Sequence, residues 1–170
     1  MTKRKTLLLC CALVLTGLMT AQGQTKFEVP PNVTLNTDKD FAQYEKAIID
    51  AAKWLEATDL NKEADKRQQV NGFVLQWLSG SPNVTVDINE QLGALFEKNA
   101  QLLGIYLASY TRNFLEQKSA ATKFSAVKAG LISMMNVYKK GIEISNNKEM
   151  DQLLKLTDKQ LDDYINKHFM

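Results

Sequence analysis

The sequence predicts an all-α protein, an irregular bundle of about six helices preceded by an extended leader. Apolar residues recur at steps of three and four along most of the chain, which is the period of an amphipathic helix. All three prolines fall outside these periodic segments, as expected because proline disrupts helix interiors. Val84, Val86 and Ile88 alternate with polar residues. A lone run of this kind, without a partner strand, is more typical of an extended connector than of a sheet.

The N-terminus has the order of a secretory signal peptide. Positive charges at residues 3–5 precede an apolar run over residues 7–19, and Ala21-Gln22-Gly23 follows as a small-residue cleavage site. The run is about 13 residues long, whereas a bilayer-spanning helix needs roughly 17–25. We therefore predict a signal peptide over residues 1–23, cleaved before Gln24, a periplasmic or secreted product, and no transmembrane anchor after cleavage.

Removal of this segment changes the composition that remains. Cys10 and Cys11 are the only cysteines and lie within the apolar run, so the mature chain is predicted to have neither disulfides nor cysteine-bound metal. Neither cysteine follows a small residue at the end of the run, which argues against a lipid anchor. The mature chain has 18 basic and 19 acidic residues. Apart from Lys139-Lys140, predicted to lie near a helix C-terminus, it has no basic cluster, so nucleic-acid binding is not expected.

The remaining 147 residues suffice for one ordinary domain. Residues 24–36, which include Pro30-Pro31, are predicted to be an extended leader, and residues 37–170 a single helical domain. Thr37 is the expected N-cap of the first helix, Asn99 that of the fourth, and Thr157–Gln160 forms a capping box before the last. The predicted helices cover residues 38–57, 61–78, 89–98, a segment after Asn99 to Gln117, 121–142, a short segment through Leu153-Leu154, and one that begins after Thr157. The fourth is apolar most of the way round, which places it at the centre of the bundle.

Residue types that carry catalysis are sparse. His168 is the only histidine and lies two residues before the C-terminal residue, so catalytic triads and histidine-rich zinc sites are not predicted. A pair of carboxylates is the one catalytic arrangement that the composition allows, with Asp50 and Glu56, or Asp87 and Glu90, as candidates. A glycosidase needs such a pair roughly 5–10 Å apart in a cleft. Because each acid also fits a solvated helix face, no catalytic residue, metal site or cofactor is predicted.

Four glycines fall inside predicted helices, where each costs about 1 kcal/mol relative to alanine. We expect them to let two helices cross closely; a hinge or the approach of a ligand is the alternative. They are Gly72, Gly93, Gly104 and Gly130.

Trp77 and Trp54 are the candidate binding residues, because half-exposed tryptophans are enriched in binding hot spots. Packing in the core is the favoured interpretation for both. The triplets at Asn32 and Asn83 match the glycosylation pattern, which would usually be unmodified in a bacterial host.

The Trp54-Leu55-Glu56 sequence and the stretch from Gly72 to Gly80 resemble the small exported helical proteins of unassigned function found in Bacteroides-type bacteria. That resemblance implies a Gram-negative envelope. In layout, residues 71–115 are also similar to type VI secretion immunity proteins and acid-stress periplasmic chaperones. Those families carry a disulfide for which this chain has no cysteine.

The sequence thus favours an exported, non-enzymatic protein that binds another envelope macromolecule, such as an inhibitor, an immunity protein or a chaperone-like protein. The alternative is an envelope glycan or peptidoglycan hydrolase that uses two carboxylates. A third hypothesis is a helical carrier of a small apolar ligand. The oligomeric state stays open.

Overall fold

The computed structural model describes residues 26–170, and over this range the chain is all-helical, as predicted. The predicted signal peptide, its cleavage site before Gln24 and both cysteines lie outside the described residues. The described range contains seven α-helices and no strand, and a 3₁₀ turn at Lys118–Ala120 follows the fourth helix. The helices are α1 Asp38–Ala57, α2 Ala64–Gly80, α3 Glu90–Phe96, α4 Gln101–Gln117, α5 Lys123–Lys139, α6 Lys148–Leu153 and α7 Asp158–His168.

Threonine side chains begin three of the helices. Thr37, Thr122 and Thr157 each accept a hydrogen bond from the backbone N–H three residues later, and the side chain at that position accepts from the threonine N–H. This reciprocal pair is a capping box. The predicted cap at Thr37 and the predicted box from Thr157 to Gln160 are both confirmed. The box at Thr122 escapes prediction because its return acceptor is Ser125 rather than the usual Glu or Gln.

Two predicted helix ends differ from the structure by three residues, each because of one residue in the left-handed backbone region. α2 begins at Ala64, three residues later than expected, because Glu63 has a φ of 48°. α5 ends at Lys139 rather than Ile142 because Gly141 has a φ of 68°. A glycine in this conformation commonly terminates a helix, since it has no Cβ to clash with the backbone.

Two buried asparagines tie the loop before α6 to the rest of the bundle. The sequence predicts Asn99 as the N-cap of α4, and this is wrong. Ala100 occupies the N-cap position, without a side-chain hydrogen bond. Asn99 instead exchanges two hydrogen bonds of 2.8 Å with the backbone of Ser145. Asn147 caps α6 and donates to the Ala94 carbonyl at the end of α3. These bonds satisfy polar groups that would otherwise be costly to bury.

Helix α4 lies at the centre of the bundle, as its apolar circumference predicts. It packs against α5 and α1 over most of its length, and more briefly against α2 and α3. Every helix contributes side chains to one continuous core. The buried residues of α4 are Leu102, Ile105, Tyr106, Leu107, Ala108, Ser109, Tyr110, Thr111 and Leu115.

The segment between α2 and α3 is an extended connector, as predicted from its alternating pattern. Val84 is buried, whereas Ile88 is 56% exposed. The connector is held to the core by the Tyr110 hydroxyl, which donates to the Thr85 carbonyl at 2.9 Å. Val84 and Val86 pack against the core and Ile88 does not, so the alternation here reflects partial packing on helices rather than pairing with another strand.

The described part of the leader, residues 26–36, is extended on both sides of a turn at residues 31–32, and its N-terminal end lies against α2. Phe27 is buried and its ring stacks on Phe73 at 6.4 Å. Glu28 forms an ion pair of 2.7 Å with Lys66, which raises the pKa of that ammonium. Full burial of a phenylalanine side chain contributes about 1.5–3 kcal/mol, so Phe27 is the main attachment. Among the described residues, no backbone hydrogen bond joins positions 26–35 to the helices.

Candidate functional site

The two candidate tryptophans lie in the core. Trp54 is 1% exposed and Trp77 is 2% exposed, so the hypothesis that they form a binding surface is corrected and the core interpretation holds. The Trp77 indole donates to the Phe41 carbonyl at 3.0 Å, which satisfies its one polar atom. The face of Trp54 is covered by Lys66 and Arg67, whose cationic groups lie 5.3 and 5.6 Å from the ring centroid. A partner therefore has no direct access to either indole.

Two of the four candidate carboxylates pair with lysines and a third is exposed to solvent, each on a different part of the fold. Asp50 pairs with Lys46 within α1, and Asp87 pairs across to Lys123 at the start of α5. Glu90 is the exposed first residue of α3. Each acid thus has a local structural explanation.

Glu56, the fourth, lies at the junction of α1, α4 and α5. One carboxylate oxygen accepts from Ser109 and from Ser133, the latter at 3.0 Å. The other accepts from Arg112 at 2.6 Å. Ser109 is fully buried and Ser133 nearly so, which leaves neither hydroxyl open to a substrate. The geometry indicates a polar tie between three helices.

The structure also brings His168 close to one of these acids. His168 ends α7 and lines a surface hollow of about 430 Å³ with Glu90 and Asn89. Its ring lies 4.6 Å from that of Tyr164, and its carbonyl accepts from the Asn89 side chain at 2.8 Å. The C-terminal helix is therefore fastened to α3 rather than frayed.

The helical glycines divide into two kinds. A Cβ on Gly130 would lie 2.7 Å from the Tyr106 ring, and one on Gly104 would lie 2.6 Å from the Asn71 amide oxygen. These two glycines permit the close helix crossings that the sequence predicts. A Cβ on Gly72 or Gly93 would meet no heavy atom within 4 Å. The crossing explanation is wrong for this second pair.

Gly72 instead lies in an open groove along the outer side of α2. We name this the α2 groove; it has a volume of about 480 Å³. Its exposed apolar wall includes Leu75, which is 44% exposed, and its polar rim includes Gln68 and Asn71. The lining residues are Leu60, Ala64, Arg67, Gln68, Asn71, Gly72 and Leu75. The one sequence signal for it is a glycine at the middle of an exposed helical face.

Arg67 forms the buried base of the groove and joins it to α1. Its guanidinium donates to the carbonyls of Leu55, Thr58 and Asp59, at distances of 2.6–3.3 Å. These are carbonyls at the C-terminal end of α1, where a cation is favoured. Burial lowers the pKa of Arg67. The base of the groove is thus a fixed part of the scaffold.

Comparison with known proteins adds no relative. No protein family matches the chain, and no curated protein or solved structure is significantly similar to it. The resemblance to exported Bacteroides-type proteins accordingly stays a prediction. Within residues 26–170, no helix is both long enough and apolar enough to cross a bilayer. The same range contains no cluster of three or more histidine, cysteine or acidic side chains suited to a metal ion.

Proposed function

We propose that the chain is an exported, non-enzymatic protein that binds another envelope macromolecule through the α2 groove. An inhibitor, an immunity protein or a chaperone-like protein would act in this way. Export is supported by the order of charged, apolar and small residues at the N-terminus. The proposed compartment is the periplasm or the extracellular medium.

Gly72 is the observation that carries this proposal. A glycine in the interior of a 17-residue helix costs about 1 kcal/mol relative to alanine, and no neighbouring atom requires it here. Its backbone forms an uncovered stretch of the groove beside Leu75. Because glycine has no Cβ, a side chain or a helix of another protein can approach the backbone more closely here than it could at any other residue.

The chemistry of the lining defines the partner. Leu60, Ala64 and Leu75 favour an apolar side chain, and the amides of Gln68 and Asn71 can exchange hydrogen bonds with polar backbone groups around it. The lining has no aromatic ring on which a sugar could stack, and its one cation, Arg67, already donates to three carbonyls rather than facing a phosphate. We therefore favour a protein partner.

The matched pair Gly72→Leu and Gly93→Leu tests the proposal. Both substitutions replace a helical glycine whose added Cβ meets open space, but only the first fills the groove. We expect an envelope partner, captured by chemical cross-linking, to bind the unsubstituted chain and Gly93→Leu and to lose at least tenfold affinity for Gly72→Leu. Thermal unfolding checks that both variants are folded.

Two results would contradict the proposal. A partner that binds Gly72→Leu as tightly as the unsubstituted chain would show that the groove is not the contact. Release of soluble fragments from purified glycan or peptidoglycan by the chain, abolished by Glu56→Gln, would instead support the hydrolase alternative.

A further inference from the structure

We propose that the leader exchanges between two copies of the chain, so that Phe27 and Glu28 of one copy lie on α2 of the other. The receiving surface is the leader cleft, which we define by Tyr44, Lys66 and Phe73. It lies on a different side of α2 from the α2 groove. The inference does not depend on the proposed function.

The leader cleft recognises an aromatic side chain followed by an acid. Phe73 stacks on the Phe27 ring with an angle of 25° between the ring planes, and Tyr44 meets Phe73 edge-on at 6.1 Å. Lys66 is 21% exposed and receives the Glu28 carboxylate at 2.7 Å. A second copy presents the same two residues on the same extended segment, so the match of shape and charge is already present.

The attachment of the leader allows it to leave without breaking backbone structure. Positions 26–35 make no backbone hydrogen bond to the helices within the described range, so only side-chain contacts must separate. The base of the leader is fixed, because the Asn36 N–H donates to the Asp40 carboxylate at 3.0 Å. The movable part is therefore residues 26–35.

A hinge lies within this movable part. Pro30 and Pro31 have no backbone N–H to satisfy, and Asn32 adopts a φ of 53° in a turn at residues 31–32, a left-handed conformation that asparagine tolerates. Opening at this turn keeps the Phe27 and Glu28 contacts when the segment is received by another copy. Exchange of an identical segment is a low-cost route to a dimer for this reason. The closed monomer and the exchanged dimer then differ mainly in hinge conformation and in the entropy of association.

Disulfide trapping between two single-cysteine chains tests the exchange. Cys10 and Cys11 are replaced by serine in every variant, and a chain with Glu28→Cys is mixed with a chain with Lys66→Cys under mild oxidation. A yield of disulfide between the two chains above that of random collision indicates that the leader of one lies on α2 of the other. The matched control mixes Asp87→Cys with Lys123→Cys, whose native ion pair has the same 2.7 Å distance but lies outside the leader.

We expect the first mixture to form several-fold more covalent heterodimer than the control, read by non-reducing electrophoresis and mass spectrometry. Adding Phe27→Ala to the Glu28→Cys chain should reduce the yield to the control level, because the ring is the main attachment. A single chain that carries both Glu28→Cys and Lys66→Cys is the positive control, because an internal disulfide in it shows that the two positions can be bridged. With that disulfide formed, equal yields in the two mixtures would overturn the proposal. Heterodimer that persists with Phe27→Ala would overturn it as well.

Light scattering of the unsubstituted chain gives a second measurement that needs no variant. We expect the mass to rise from monomer towards dimer with concentration, and a synthetic peptide of residues 24–36 to return it to monomer. A mass that stays monomeric at every concentration would contradict the exchange.

Discussion

At the scale of single residues, the Glu56 carboxylate joins three helices through hydroxyl and guanidinium donors. Replacing it by glutamine keeps its size but presents an amide N–H₂ to Ser109, Ser133 or Arg112, all of which donate to it. We expect Glu56→Gln to lower the free energy of unfolding by about 1–3 kcal/mol, because the three donors lose a charged acceptor. Urea unfolding measures this.

The control for Glu56→Gln is Asp50→Asn on the same helix. Within the described residues, Asp50 pairs with the exposed Lys46, and surface substitutions of this kind usually change stability by less than about 0.5 kcal/mol. Equal effects of the two substitutions would show that the three-helix tie contributes little.

These residues show what the sequence can establish at this scale. The core position of Trp77 and Trp54 is the favoured prediction and is correct, since both residue type and neighbouring apolar spacing indicate it. The ties of Glu56 are not predictable, because its partners lie 53 to 77 positions away in the sequence. Gly72 carries a signal, but only the open space around it distinguishes it from Gly130.

At the scale of elements, the capping box of α1 makes its stability depend on pH. The backbone N–H groups of Asn36 and Thr37 donate to the Asp40 carboxylate and hold its pKa below the ordinary 3.8. A carboxyl whose pKa is lower in the folded state than in the unfolded state stabilises the fold at pH values above the unfolded-state pKa. This contribution is lost as the pH falls through the folded-state pKa. We therefore expect Asp40→Asn to lower the midpoint of thermal unfolding at neutral pH.

The difference in the midpoint of thermal unfolding between Asp40→Asn and the unsubstituted chain should stay constant from neutral pH down to about pH 4 and become smaller below that pH. Circular dichroism at a series of pH values measures both midpoints. Asp38→Asn is the matched control, because it removes a charge from the same first turn without removing the capping box. A difference for Asp40→Asn that does not narrow in acid would refute the assignment.

Helix boundaries are predictable where side chains determine them. α1 begins where predicted because Thr37, followed by Asp38 and Asp40 in the first turn, is a recognisable N-terminal signal. The end of α5 was open to prediction from Gly141, which is the usual residue for a left-handed helix end. The start of α2 was not, because Glu63 takes the same conformation without a residue type that indicates it.

At the scale of the whole molecule, the bundle follows from periodicity but the surfaces do not. The apolar circumference of α4 predicts its central position, since a helix of this kind must be covered on all sides. The α2 groove depends on where the α1–α2 loop places Leu60 relative to Leu75. The leader cleft depends on Phe27 meeting Phe73, a contact between residues far apart in sequence. Neither of these two arrangements can be predicted from a local sequence pattern.

Alkaline pH should destabilise the bundle, because four tyrosines have raised pKa values in the folded state. Burial raises the pKa of Tyr110 to about 12, and it also raises the pKa of Tyr106, Tyr138 and Tyr164 above the ordinary value of 10. Because the folded-state pKa is raised, the contribution of these tyrosines to stability is fully present below the unfolded-state pKa, near pH 10. It is lost as the pH rises through the folded-state pKa. We expect the urea midpoint to be flat up to about pH 10 and to fall between about pH 10 and 12.

Tyrosinate absorbance and helical circular dichroism, followed together, check this prediction. The absorbance of the buried tyrosines should rise in the same step in which helicity is lost. Tyr110→Phe removes the hydroxyl that donates to Thr85, so it should cost about 1 kcal/mol at neutral pH and make the alkaline decline shallower. Ionisation of these four tyrosines near pH 10 with helicity intact would show that their burial does not couple their titration to folding.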